Sequence, residues 1–204
     1  MPKIFVIKIL IIIITSPYFL LSQEVLINQL PQEINTNDSE INFIQINDST
    51  AYYTVIHQNK NKIKSNIYTT SFVDGNWSER KKNIYNANFF NTGNISFSDQ
   101  EGSFFTICND DMLECKIVYL EKNKTDVFKE IKELSSNYYF NTQGSFFQDN
   151  EQKMLYFVSD RKGGFGGLDI WVSIIDNNGN FGVPINAGNN INSSNDEITP
   201  FYNK

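Results

Sequence analysis

The residues whose types and spacing could do chemistry are concentrated in SDRKGGFGGLDIW, Ser159 to Trp171. Asp160, Arg161 and Asp169 supply two carboxylates and a guanidinium, and Gly163, Gly164, Gly166 and Gly167 stand between them. Such a stretch can cradle a phosphate, hold a metal or turn a chain. A phosphate loop takes the form G-x-x-x-x-G-K-[ST] or G-x-G-x-x-G between a strand and a helix, so that backbone N–H groups and a helix terminus face the anion. GGFGGLDIWV instead leads from one strand pattern into another, which excludes the helix dipole and with it the nucleotide reading. The conformational reading has the glycines supplying positive φ angles for a loop between adjacent strands. Asp160 and Asp169 then cap loop amides and Arg161 pairs with either of them. Its alternative gives Asp160, Arg161 and Asp169 a ligand-facing role.

Other candidates are weaker. DNNGNFG, from Asp176, puts oxygens at alternate positions as a calcium loop does, but glycine falls at the fourth place and the twelfth residue is Ala187, so a hairpin turn is expected. His57, the single histidine, ends a strand pattern and precedes QNKNK without a nucleophile signature beside it, which reads as a surface residue. Tyr156, Phe157, Trp171 and Phe181 read as core rather than as a sugar-stacking platform. Cys108 and Cys115 flank NDDMLE between two apolar runs. In an exported protein they either bridge the strands of one hairpin or stand as free thiols at strand ends. No His or further Cys lies near them to complete a metal site. No catalytic residue, metal or cofactor is expected.

These residues must be positioned by a chain of 204 residues, 40% apolar, 14% aromatic and 20% charged, enough for a core in one domain or one repeat array. Abundant Asn, Ser, Thr, Tyr and Phe favour strands and turns, so the fold class is all-β. Residues 1–22 carry Lys3 and Lys8, an apolar run from Ile9 to Ile14, Pro17 and then Ser22, the order of a secretory signal. Lys8 and Pro17 keep that run shorter than a spanning helix. Cleavage near Ser22 is expected, with membrane contact only through the signal and no Cys for a lipid anchor. Removing two lysines from the 17 basic residues leaves 15 against 23 acidic ones, a net charge of about −8. No basic patch opposes it, so no nucleic-acid partner is expected.

A repeat runs through residues 23–204. AYYTVI, SFFTIC and LYFVSD align at Tyr53, Phe105 and Phe157, spaced 52 and 52. Ile67, Ile117 and Ile170 recur at 50 and 53; Trp77, Phe128 and Phe181 at 51 and 53; Asp48, Asp99 and Asp149 at 51 and 50. Each unit reads as a short strand, a turn, an aromatic strand, a loop, a third strand, a hairpin and a fourth strand opening on an aromatic. Four antiparallel strands every forty to fifty residues predict β-propeller blades over about 41–85, 92–136 and 143–187, with partial strands at 23–30 and 197–204. NKTDVFKEIKELSSN has Val127, Ile131 and Leu134 on one helical face, but the repeat register makes it a strand opening on Phe128. The chain ends also match, Ile27-Asn28 with Ile185-Asn186, Ile34-Asn35 with Ile191-Asn192 and Asn37-Asp38 with Asn195-Asp196. Three blades are fewer than a propeller closes with, so the reading is an incomplete propeller, a piece of a longer one or one completed by another copy, prone to self-association through open blade edges.

The residues LYFVSDRKGGFGGLDIWVS, followed by NGNFGVPINAGNNINSSNDEITPF, strongly resemble the WD-repeat-like β-propeller repeat of bacterial exported proteins, the Pro-Asp type with a TolB-like propeller. The match is close over Met154–Phe201 and weaker in Thr92–Ser136 and Ile41–Tyr85. The resemblance implies a non-enzymatic scaffold in the bacterial cell envelope, periplasmic or outer-membrane associated as in Bacteroidetes, that binds a protein or an envelope glycan. Its alternative is the propeller portion of an envelope hydrolase, either a glycosidase or a prolyl-oligopeptidase-like peptidase.

Overall fold

A computed structural model describes residues 29–59, 62–83, 85, 91–98, 102–110, 114–121, 128–131, 134, 140–148 and 152–201. The expected signal at 1–22, and Asp99 and Asp149 of the aspartate series, lie outside the described residues. Within them the chain is all-β, with thirteen strands and no α-helix. The first sheet holds β1 (Ser39–Asn47), β2 (Thr50–Asn59), β3 (Lys62–Val73) and β4 (Asn76–Trp77), and a short β5 (Lys81–Lys82) also pairs with β3. The second holds β6 (Asn91–Ser98), β7 (Gly102–Cys108), β8 (Cys115–Glu121) and β9 (Phe128–Glu130). The third holds β10 (Asn141–Gln148), β11 (Lys153–Ser159), β12 (Asp169–Ile175) and β13 (Ile185–Asn186). All pairings are antiparallel and, apart from that of β5 with β3, join strands consecutive in the chain.

Side-chain alternation makes the stack. Phe104 and Phe105, adjacent in β7, point to opposite faces as the strand period requires. Phe105 joins Ile67, Ile95, Val118 and Leu120 between the first and second sheets. Phe104 joins Ile117, Leu155, Phe157, Trp171 and Ile175 between the second and third. The second sheet is therefore apolar on both faces, which is why GSFFTIC and CKIVYLE read as nearly continuous apolar runs. Each fully buried phenylalanine contributes roughly 1.5–3 kcal/mol. The leading strands β1, β6 and β10 neighbour one another along one side of the stack. Each carries a bulge with one residue at positive φ, namely Asn42 (55°), Asn94 (48°) and Gln143 (52°).

Phe128 opens a strand, as the repeat register requires, and Ile131 and Leu134 beyond it are buried in the core between sheets. Three expectations need correction. Phe181 does not open the fourth strand of its sheet. It makes one isolated bridge to Ile175, and β13 starts only at Ile185, because Pro184 has no N–H to give to a ladder. Of the expected partial end strands, Glu197–Phe201 and the last two residues of the first, Gln29–Leu30, belong to no strand, and 23–28 and 202–204 lie outside the described residues. The end match also shifts by one residue: Asn195, not Asp196, stands where Asp38 does, as hydrogen bonding of the two segments shows below.

Candidate functional site

The glycine loop joins β11 to β12 and its polar groups are turned inward. Asp169 is buried, and its carboxylate accepts the Phe165 N–H at 3.0 Å (Oδ1) and 3.1 Å (Oδ2) and the Gly166 N–H at 3.2 Å. Asp160 accepts the Phe140 N–H. Asp169 thus caps amides of its own loop, as expected, whereas Asp160 reaches out of the loop to the residue that precedes β10. Arg161 is committed to a different task from the acid pairing expected of it. Its Nη2 donates to the Leu134 carbonyl at 3.2 Å and to Asn141 Oδ1 at 2.6 Å, its Nε donates to Ser159 Oγ at 3.1 Å, and its guanidinium lies over the rings of Phe157 and Trp171. It ties the exit of the second sheet to the start of the third, stacked on the core of that junction.

The glycines act mostly through space rather than through φ. Only Gly163 has a positive φ, +95°. A Cβ on Gly164 would stand 2.1 Å from Asp169 Oδ2, one on Gly166 2.0 Å from the Asn195 carbonyl oxygen, and one on Gly167 2.5 Å from Asp196 Oδ1. The loop is pressed flat under residues 193–196, and Asp196 Oδ1 accepts the Leu168 N–H at 2.8 Å. Asn192 completes the seam, accepting the Ile170 N–H and donating to the Ile170 carbonyl, both at 2.8 Å.

The remaining sequence candidates fall into ordinary places. Cys108 and Cys115 are paired across β7 and β8 and joined in a disulfide, at the position the glycine loop occupies one repeat later. The Asp176 turn is a hairpin in which the carboxylate accepts the Asn178 and Asn180 N–H groups, each at 2.8 Å. Hydrogen bonds from the Asn180 side chain and backbone hold that carboxyl below its ordinary pKa. His57 Nδ1 lies 2.9 Å from Asp38 Oδ2, beside Arg80. Phe157 and Trp171 are core, and Tyr156 and Phe181 are partly buried.

A groove of about 470 Å³ opens between the second and third sheets, where the β12–β13 turn overhangs β8 and β9. Its inner wall is aromatic. Phe104 stacks on Tyr119 with centroids 5.0 Å apart and meets Phe181 edge-on at 6.1 Å. Its rim is polar, with Glu130 paired to Lys116 at 3.1 Å, Glu121 paired to Lys129, and Asn178 and Asn180 across from them. None of its described lining residues is Ser, Cys or His, so it offers no nucleophile–base pair of the familiar kind. An aromatic wall with amides and carboxylates at the edge suits a ligand that has both an apolar face and hydroxyl or amide groups. Sequence inspection does not find this groove because Phe104, Tyr119, Glu130 and Phe181 are brought together by two different repeats. Nor does either aromatic stand out, since Phe181 belongs to the Trp77–Phe128–Phe181 series and Phe104 recurs as Tyr52 and Tyr156.

Comparison with models of known families, with curated proteins and with solved structures finds no match to this chain.

Proposed function

We propose that the chain is an exported, non-enzymatic β-propeller segment of the bacterial cell envelope that binds a glycan through the groove between its second and third sheets. The observation that carries this reading is the groove's composition: the Tyr119 and Phe181 rings within a rim of Glu130, Asn178 and Asn180. Sugar rings present an apolar face to aromatics and hydroxyls to amides and carboxylates. Three antiparallel sheets stacked face to face, each built on four strands in chain order with β5 added to the first, support the propeller architecture. The loop at 159–171, by contrast, spends Asp160, Arg161 and Asp169 on holding itself and the sheet junction together, which moves the ligand site away from it. A protein ligand is the competing class.

The test is titration of residues 23–204 with N-acetylglucosamine oligomers, followed by calorimetry and by amide shifts. Binding should weaken at least tenfold in Glu130→Gln and Asn178→Ala, with the melting temperature held. Absence of binding at millimolar oligosaccharide, or binding that both variants leave intact, would overturn the assignment.

A further inference from the structure

One lead-in segment is built twice in this chain. Ahead of β1 the N–H groups of Ile34 and Asn35 both bond to the Pro31 carbonyl, at 3.0 and 2.9 Å; after β13 those of Ile191 and Asn192 both bond to the Gly188 carbonyl, at 3.1 and 2.8 Å. Thr36 Oγ1 donates to Glu40 Oε1 at 2.6 Å and accepts the Asp38 N–H at 3.2 Å. Ser193 Oγ donates to Glu197 Oε1 and accepts the Asn195 N–H at 3.1 Å. The same glutamates accept the Thr36 N–H at 3.3 Å and the Ser193 N–H at 2.9 Å. Asn42 has φ 55° and Thr199 φ 54°. Every one of these pairs is 157 residues apart. Residues 31–42 and 188–199 are therefore one device in two places, and what that device does at the first place is lay β1 along β2.

The two copies differ in what they meet. Ile34 is 1% exposed, packed with Tyr53 and Val55, whereas its counterpart Ile191 is 51% exposed. Ile41 and Ile44 pair with Thr54 and Tyr52 of β2. Their counterparts Ile198 and Phe201 belong to no strand, and Phe201 is 83% exposed. Ile174 and Ile185 are exposed as well. Ile174 alternates with Trp171, Ser173 and Ile175, which are buried, so it lies on the face turned away from the second sheet. At both junctions inside the chain, the corresponding face is covered by the next sheet of the repeat.

We propose that residues 188–201 of one copy take the place of residues 31–44 on β2 of a second copy, which seats the open face of the third sheet against the first sheet of that copy. The exchange keeps the hydrogen bonds internal to the lead-in, since both segments make the same set. Ile191, Ile198 and Phe201 replace Ile34, Ile41 and Ile44 on β2, the Asp38 contacts to His57 and Arg80 are given up, and the net gain is the covering of the third sheet's open face with Ile174. Exchange of equivalent elements between copies is a low-cost route to association, and this one is head-to-tail.

Cysteine trapping tests it on the full chain. By the β1–β2 pairing, Ile198 should stand opposite Thr54 of the second copy. A mixture of Ile198→Cys and Thr54→Cys proteins should give a disulfide-linked dimer under mild oxidation, while Ile41→Cys with Thr54→Cys in one chain closes internally and controls for reactivity. Light scattering should show species larger than one chain at tens of micromolar, and Ile191→Asp should return them to monomer without lowering the melting temperature. Monomer throughout, or association sensitive to Ile174→Asp with no link between positions 198 and 54, would overturn the exchange; the second result would instead indicate third sheet packed on third sheet.

Discussion

Thr106 Oγ1, on β7 of the second sheet, accepts the backbone N–H of Gln143, on β10 of the third, at 3.1 Å. The same bond joins the first sheet to the second, where Thr54 Oγ1 accepts the Asn94 N–H at 3.0 Å. Asn94 and Gln143 are the bulged residues at positive φ, so their N–H groups are turned out of the sheet ladder and need another acceptor. Threonine at the next-door position of the preceding sheet supplies it. The third occurrence of that position is Val158, which has no hydroxyl, and there the Thr199 N–H bonds to Gln143 Oε1 instead.

Removing one such hydroxyl leaves a half-buried N–H unsatisfied with almost no change in volume. Thr106→Val is expected to lower the unfolding free energy by about 1–2 kcal/mol, and Thr106→Ser to recover most of it. Urea denaturation measures both. Equal stability of the valine variant and the parent would mean that the bond between sheets contributes nothing.

The glycine loop predicts an order of damage. Gly166→Ala places a Cβ against two backbone carbonyls, Asn195 at 2.0 Å and Ser193 at 2.9 Å, neither of which can rotate away. It should cost about 3 kcal/mol. Gly163→Ala meets only the Trp171 ring at 3.7 Å, and its penalty is the positive φ alone, about 1–2 kcal/mol. Thermal melts of the two variants should therefore separate, with Gly166→Ala the lower. The reverse order would show that φ rather than close approach fixes these glycines.

This loop also marks how far the sequence is legible. The amide-capping role of Asp169 follows from short-range turn chemistry and is readable, while the partner of Asp160, the Phe140 N–H, lies twenty residues away and is not. Nor is the reason for Gly166 and Gly167, because it depends on a segment about thirty residues downstream folding back over them, whereas Gly164 makes room for Asp169 within the loop itself. The repeat itself is legible because Tyr53, Phe105 and Phe157 each sit buried mid-strand, Phe105 and Phe157 against the preceding sheet and Tyr53 against the lead-in at Leu30 and Ile34, and similar environments select similar residue types. Thr54 and Thr106 share that spacing but are common strand residues, so nothing in the sequence separates them from surface threonines. The groove escapes for a further reason, that its walls come from different repeats.

Cys108 and Cys115 occupy a directly opposed pair with Cα atoms 4.2 Å apart, closing the end of the β7–β8 hairpin. The loop they enclose is short, which limits the entropy removed from the unfolded chain. Replacing both by alanine should cost about 2 kcal/mol and leave the strand content in circular dichroism unchanged. Thiol titration under denaturing conditions should find no free sulfhydryl in the parent. Two titratable thiols would contradict the bridge.

Tyr53 gives a signature at alkaline pH. Its side chain lies in the core of the first sheet, and its hydroxyl has no hydrogen-bond partner among the described residues. Burial, which disfavours the phenolate, pushes its pKa up to about 12 from 10.0, with Arg80 nearby opposing the rise and Glu40 and Tyr68 adding to it. The folded state therefore keeps the proton over an interval in which the unfolded chain releases it. The stability this confers is complete below pH 10.0 and is lost as pH rises through about 12. Burial raises Tyr52 and Tyr85 as well, so ultraviolet titration should show several late phenolates in the parent and one fewer, the latest, in Tyr53→Phe. That variant should be as stable as the parent at neutral pH, or more so by up to about 1 kcal/mol, because it removes a buried polar group without orphaning another. A marked loss of stability in Tyr53→Phe would mean that the hydroxyl is hydrogen-bonded after all.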